Sequence, residues 1–157
     1  MQKGVVIDST TMSVLAHPNE TQDSIECWGW AEDLRRKGTL VRIPAVVDYE
    51  CRRKLVHINS TDGISKLDKM VRIFGSIEMS EEAWKQAAYL WAKMRRLGKI
   101  ATDDRLNADV IIAAQATLFA IEENVAVTVA TDNIQHFKPL VDGTHLVGAD
   151  EWRKILP

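Results

Sequence analysis

The sequence predicts a three-layer α/β/α fold with a mainly parallel central sheet. Three observations carry that expectation. Strand-like and helix-like segments alternate along the 157 residues, which implies crossover connections between parallel strands. The strand-like runs are nearly all apolar instead of alternating, as strands covered on both faces are. Finally, "LNADVIIAAQATLFAIEE", from Leu106 to Glu123, has only Gln115 and Thr117 as polar residues between Val110 and Ile121. Such a helix has no wide solvent face and must be packed on most sides.

Each element follows in order. "GVVID" is a short apolar run ending in an acid, and reads as the first strand. "STTMSVLAH" follows as a helix with Ser9 as its N-cap and Pro18 as its stop. From Thr21 to Lys37 the apolar residues Ile25, Trp28, Ala31 and Leu34 recur at helical spacing, and Gly38 suits the C-terminal cap. "TLVRIP" is a second strand, and helices are expected over 45–58 and 62–73. "SIEMS" is a short strand, after which Ser80, Glu81 and Glu82 open a helix that runs to Leu97 and closes at Gly98. Ala87, Leu90, Trp91 and Met94 share a face of that helix, and Trp84 stands three residues before Ala87. Both tryptophans read as core packing in preference to a base-stacking platform. "VAVTVA" is a further strand, and "THLVGA" is expected at a sheet edge. No repeat, linker or low-complexity segment interrupts the pattern, so residues 1–157 are expected to form one domain.

Composition narrows the class of molecule. With 46% apolar and 27% charged residues, the chain is expected to be an ordinary globular protein. Cys27 and Cys51 form no CxxC pair and have no His at ligand spacing, so both read as buried thiols of a reducing compartment. No run reaches the ~18 apolar residues of a membrane span, and the N-terminal residues lack a signal-peptide pattern, so a cytoplasmic location is expected. The net charge of −2 excludes a generally basic, electrostatically adhesive chain, although uneven placement can still create a nucleic-acid site. Basic clusters occur at Arg35-Arg36-Lys37, Arg52-Arg53-Lys54 and Arg95-Arg96 with Lys99. The first and third precede a glycine and read as solvated helix ends. The middle one is equally open to a functional role.

The acids carry the chemistry. Ligands of open parallel sheets bind beyond the carboxyl ends of the strands. Asp8 ends the first strand, and Thr131-Asp132-Asn133 ends the "VAVTVA" strand. Glu50 lies near the start of the helix after the second strand, and Asp109 is expected in the first turn of the apolar helix. Each acid alone has a plain explanation: a turn, a surface position, or complementation of a helix N-terminus worth ~0.3–1 kcal/mol. Gathered together they repel, by about 3 kcal/mol for two unit charges ~5 Å apart at an effective dielectric near 20. Lys and Arg are absent from the immediate flanks of Asp8, Asp109 and Asp132. A hard divalent cation, Mg²⁺ or Mn²⁺, suits such an all-oxygen set, and metal-assisted phosphodiester hydrolysis is the chemistry that fits.

At these residues the sequence resembles a PIN-domain nuclease, and more narrowly the VapC-like ribonuclease toxins of type II toxin–antitoxin systems. The resemblance rests on "VVIDST", "IPAVVDYECRRKL", "ADVIIAAQA" and "VATDNIQHF", in that order, over residues 5 to 137. It implies a Mg²⁺- or Mn²⁺-dependent endoribonuclease, usually homodimeric and inhibited by a cognate antitoxin. It also implies RNA as the substrate, and no membrane partner is expected. By position Asp8, Glu50 and Asp109 match three family acids, and Thr131 matches the Ser/Thr that orders the site. The fourth family acid falls at Asn133, with Asp132 in the neighbouring slot. The resemblance thus assigns Asp8 and Asp109 to the cation, Glu50 to the attacking water, and Asn133 or Asp132 to water around the ion. Arg52 and Arg53 are the candidates for grasping phosphate. The departure at Asn133 leaves a second expectation open, a catalytically degenerate PIN-fold module acting through RNA or protein contacts.

Overall fold

The computed structural model describes residues 2–98 and 103–157, with backbone alone at 103–106. Lys99 and the side chain of Leu106 lie outside the described residues. In chain order the elements are β1 (Lys3–Ile7), α1 (Ser9–Leu15), α2 (Gln22–Arg36), β2 (Leu40–Pro44), α3 (Ala45–His57) and α4 (Thr61–Phe74). There follow β3 (Ser76–Ile77), α5 (Glu81–Arg96), α6 (Asp103–Glu123), β4 (Ala126–Ala130), α7 (Ile134–Phe137) and β5 (Leu146–Asp150). Short 3₁₀ turns cover Lys138–Leu140 and Trp152–Lys154.

Among the described residues the strands form one five-stranded sheet in the order β3-β2-β1-β4-β5, and every pairing is parallel. Successive side chains of a strand point to opposite faces. Val5, Val6 and Ile7 are all buried, so both faces at β1 are covered, as the uninterrupted apolar run requires. The chain moves outward from β1 to β2 and β3 on one side, then returns to place β4 and β5 on the other. The order therefore reverses between β1 and β4. A reversal leaves a crevice at the carboxyl ends of the two central strands, because their following connections diverge.

Local chemistry explains where the elements begin and end. Asp8, not Ser9, caps α1, its carboxylate accepting from the Ser9 N–H at 2.6 Å. Thr21 and Ser24 form a reciprocal capping box on α2. Gly38 and Gly98 adopt positive φ after α2 and α5, where a side chain would be strained. Gln115, wholly buried in α6, donates to the Ile77 carbonyl at 2.7 Å and accepts from the Val46 N–H at 3.5 Å. It thereby links the apolar helix to the first turn of α3 and the end of β3.

Two sequence expectations are corrected. Helix α6 starts at Asp103, so Asp109 lies well inside it and does not complement its N-terminus. Trp84 is 57% exposed on α5, while Trp91 is half-buried beneath the Arg95 guanidinium at 4.8 Å. Spacing put Trp84 on the apolar face, but there, in the first turn of α5, it lines an open cavity with Asn107, Val110 and Ile111 of α6 and stays exposed. "THLVGA" does lie at the sheet edge as β5, and both cysteines are buried thiols.

Helix α3 is braced against α4 by Arg52, whose guanidinium bonds Asp48 at 2.9 Å and Asp68 at 2.7 Å. The two helices approach closely at buried Gly63, where an added Cβ would meet Leu55 at 2.6 Å and the Ser60 capping hydroxyl at 2.8 Å. Gly63→Ala is expected to destabilise the protein by about 1–3 kcal/mol through overpacking, read as a lower midpoint in urea unfolding.

Candidate functional site

Asp8 stands at the switch between β1 and β4. Its carboxylate is only 1% exposed and is held by donors on all sides. Oδ1 accepts from the Ser9 N–H and from the Ser9 hydroxyl at 3.1 Å, while Oδ2 accepts from the Thr10 hydroxyl at 3.3 Å and from the Thr131 hydroxyl. Thr131 in turn accepts from the Asn133 N–H at 2.9 Å, and Thr10 accepts from the Asp132 N–H at 2.9 Å. The loop after β4 is thus stitched to the loop after β1 by hydroxyls. Thr131 is wholly buried.

Glu50 reaches the same place from α3. Its carboxylate lies 3.4 Å from the Ser9 hydroxyl, which stands between it and Asp8. Asp109 reaches it from α6, is 6% exposed, and pairs through Oδ2 with Nδ1 of His136 at 2.9 Å. A carboxylate can only accept, so His136 carries its proton on Nδ1 whenever Asp109 is ionised.

Burial raises the pKa of all three acids, and Asp8 adds to the rise at the other two. Burial holds the Asp8 carboxyl above its ordinary range, against the opposing pull of the Thr131, Ser9 and Thr10 donors. Burial, then the charge of Asp8, raises Glu50, while Arg53 and Lys54 oppose the rise. Asp109 is pushed up to about 6 by burial and by Asp8, with a smaller push from Glu50 and an opposing pull from His136. No cationic side chain among the described residues acts on Asp8 in this way.

The sequence-derived residues divide on this geometry. Asp8, Glu50, Asp109 and Thr131 come together. Asp132 does not join the cluster: it is exposed, and its charge bears on Cys27. Along the turn after β4 Thr131 is buried, Asp132 exposed and Asn133 half-buried. Arg52 is committed to Asp48 and Asp68. Arg53 lies over the Tyr49 ring at 5.3 Å, is exposed, and is felt by Glu50. Sequence reasoning missed His136. The available signal was "NIQHF", a polar residue followed by an aromatic anchor directly after the site loop, and Phe137 is indeed fully buried.

Among the described residues no group of three His, Cys, Asp or Glu side chains converges into a metal cage. Magnesium does not require one, since it keeps several waters and is commonly held by one or two carboxylates. The donor set is all oxygen, three acids deep, and lacks a cation at Asp8. It fits a hydrated hard divalent ion and does not fit zinc.

With the geometry in place, the arrangement defines a PIN-like α/β fold, as the resemblance implied. Among solved structures the chain is similar to VapBC2 from Rickettsia felis bound to a DNA fragment from their promoter, with 20% identity, a TM-score of 0.69, and 95% of this chain and 98% of that chain covered. It is similar also to VapBC-1 from nontypeable Haemophilus influenzae, at 11% identity and TM-score 0.63, and to FitAcB from Neisseria gonorrhoeae, at 16% and 0.63. These two alignments each cover 96% of this chain and 99% of the other. At such identities the likeness is one of fold. No protein-family model and no curated protein matches the chain. No helix among the described residues is long and apolar enough to cross a membrane.

A pH dependence follows from the acid cluster. Asp109 has a folded pKa of about 6 against 3.8 for the ordinary carboxyl, so between those values the folded chain binds a proton that the unfolded chain does not. Protonation therefore favours the fold, and this contribution is lost as pH rises through about 6. Asp8 and Glu50 push the same way, whereas Asp142, whose carboxyl is lowered, acts oppositely at more acid pH. Metal-free protein is expected to melt higher at about pH 5.5 than at about pH 7.5, and Asp109→Asn to flatten that slope. Melting curves in chelator check both.

Proposed function

We propose that the chain is a Mg²⁺- or Mn²⁺-dependent endoribonuclease of the VapC type, the toxin of a toxin–antitoxin pair. The observation that carries this reading is the convergence of Asp8, Glu50 and Asp109 at the topological switch point. Burial raises the pKa of all three carboxyls, and the charge of Asp8 adds to the rise at Glu50 and Asp109; perturbed carboxyls in a crevice are what metal-assisted hydrolysis uses.

Asp8 and Asp109 hold the cation, with Thr131, Thr10 and Ser9 keeping Asp8 in place. When bound, the ion supplies charge neutralisation at the scissile phosphate. Glu50, raised by burial and by Asp8, orients the attacking water and accepts its proton. Arg53, exposed on α3, grasps a neighbouring phosphate, while Arg52 keeps α3 against α4. Asn133, half-buried at the start of α7, positions water beside the acids. RNA as the substrate comes from the family resemblance. An antitoxin partner is supported by the VapBC complexes, and Trp84 and Tyr89, exposed on α5, are surface for a protein partner or a second copy of the chain.

A second reading, a catalytically degenerate PIN-fold module, is favoured by one observation. Asn133 stands where the family carries a fourth acid, and Asp132 is turned away.

Purified protein with Mn²⁺ is expected to cleave a structured RNA, and chelation to stop it. Asp8→Asn should fold yet lose at least about a hundredfold in rate, the usual scale for a group acting on the reacting atoms. Undiminished metal-dependent cleavage by that variant overturns the assignment. RNA or protein binding without any cleavage by the wild type establishes the second reading. Expression of the wild type alone should also arrest growth, and Asp8→Asn should relieve the arrest.

A further inference from the structure

Asp8 and Asp109 are both buried, but they are held very differently. Four donor contacts surround the Asp8 carboxylate, from one backbone N–H and three hydroxyls. The hydrogen bond that Asp109 makes among the described residues is to His136. The imidazole does not arrive there by chance. Helix α7 is only four residues long, and its first turn is closed by the His136 N–H donating to the Asn133 carbonyl at 3.0 Å. Phe137, the next residue, is fully buried and pins the helix to the core. The Asn133 N–H is bonded to Thr131, which itself holds Asp8. One short connected path therefore runs from Asp8 through Thr131, Asn133 and α7 to His136 and back to Asp109.

We infer that His136 is a positioning residue for the cation site: its ring N–H commits Oδ2 of Asp109 and so leaves Oδ1 as the oxygen presented to a divalent ion. Without that bond, no other side-chain hydrogen bond among the described residues distinguishes one Asp109 oxygen from the other. With it, the ligand is oriented before the ion arrives. Partners that orient a metal-ligating carboxylate are worth about ten- to a hundredfold in metal affinity. His136 touches neither substrate nor water in this role, and acts through Asp109 alone. The inference rests on the nuclease reading, in which Asp109 holds the cation.

The test is Mn²⁺ binding by titration calorimetry on the full chain, with no RNA present. His136→Ala is expected to bind Mn²⁺ about tenfold or more weakly than the wild type. His136→Asn, whose amide N–H lies close to where Nδ1–H lies, should restore most of the affinity. His136→Phe, which keeps the ring volume and removes the donor, should behave like the alanine variant, and serves if that variant does not fold. Affinity undiminished in both donor-less variants overturns the inference while leaving the nuclease reading intact. An asparagine variant as weak as alanine also overturns it, since the ring and not the N–H would then matter. A wild type that binds no Mn²⁺ overturns the nuclease reading, and this inference falls with it.

Discussion

A carboxylate buried at the junction of two central parallel strands is the constraint on which this molecule turns. An ionised group removed from water must be compensated by donors, or it protonates. Around Asp8 the compensation comes from hydroxyls and one backbone N–H, with no cation among the described residues. Those same hydroxyls join the loop after β1 to the loop after β4, so the electrostatic requirement and the closure of the crevice are met by one set of contacts. Thr131 is central because it serves both: it donates to Asp8 and accepts from the loop it begins.

The sheet makes such a junction possible. Parallel strands put all their carboxyl ends on one side, and the reversal of order between β1 and β4 opens space there. Asp8 and Thr131 arrive directly from those strands. Glu50 and Asp109 arrive from helices, and each helix is fixed by a polar contact within an apolar setting. Arg52 ties α3 to α4, and Gln115 ties α6 to the first turn of α3 and the end of β3. The acids are thus brought together by elements that are themselves tied down by polar contacts.

Much of this was legible from residue patterns. Apolar runs without alternation identify buried parallel strands, and acids at strand ends identify the edge where chemistry belongs. Asp8, Glu50, Asp109 and Thr131 could all be placed on that reasoning. What escaped was anything decided by the course of a turn or by long-range pairing. Asp132 and Asn133 are neighbours in sequence, yet the turn after β4 leaves one exposed and the other half-buried. Arg52 and Arg53 look equivalent beside Glu50, but only Arg52 finds Asp68, sixteen positions along, in reach. Trp84 and Trp91 share a face by spacing, and only Trp91 meets the packed interior. His136 is separated from Asp109 by 27 positions, an entire strand and a turn, and no periodicity connects them.

The positions that patterns misplace have a common physical cause. Burial of apolar surface is non-directional, so a spacing rule suffices to identify it. A hydrogen bond or ion pair is directional and short, and depends on where a second segment happens to stop. The site is made almost entirely of the second kind of interaction, laid upon a frame made by the first. It follows that the frame holds an acid cluster whose burial raises the pKa of every one of its carboxyls. Asp8 raises the proton affinity of Glu50 and Asp109, and Glu50 that of Asp109, beside a core to which β1, β4 and α6 all contribute. Asp8 and Asp109 are thus held by directional partners that no spacing rule announces, Thr131 for one and His136 for the other.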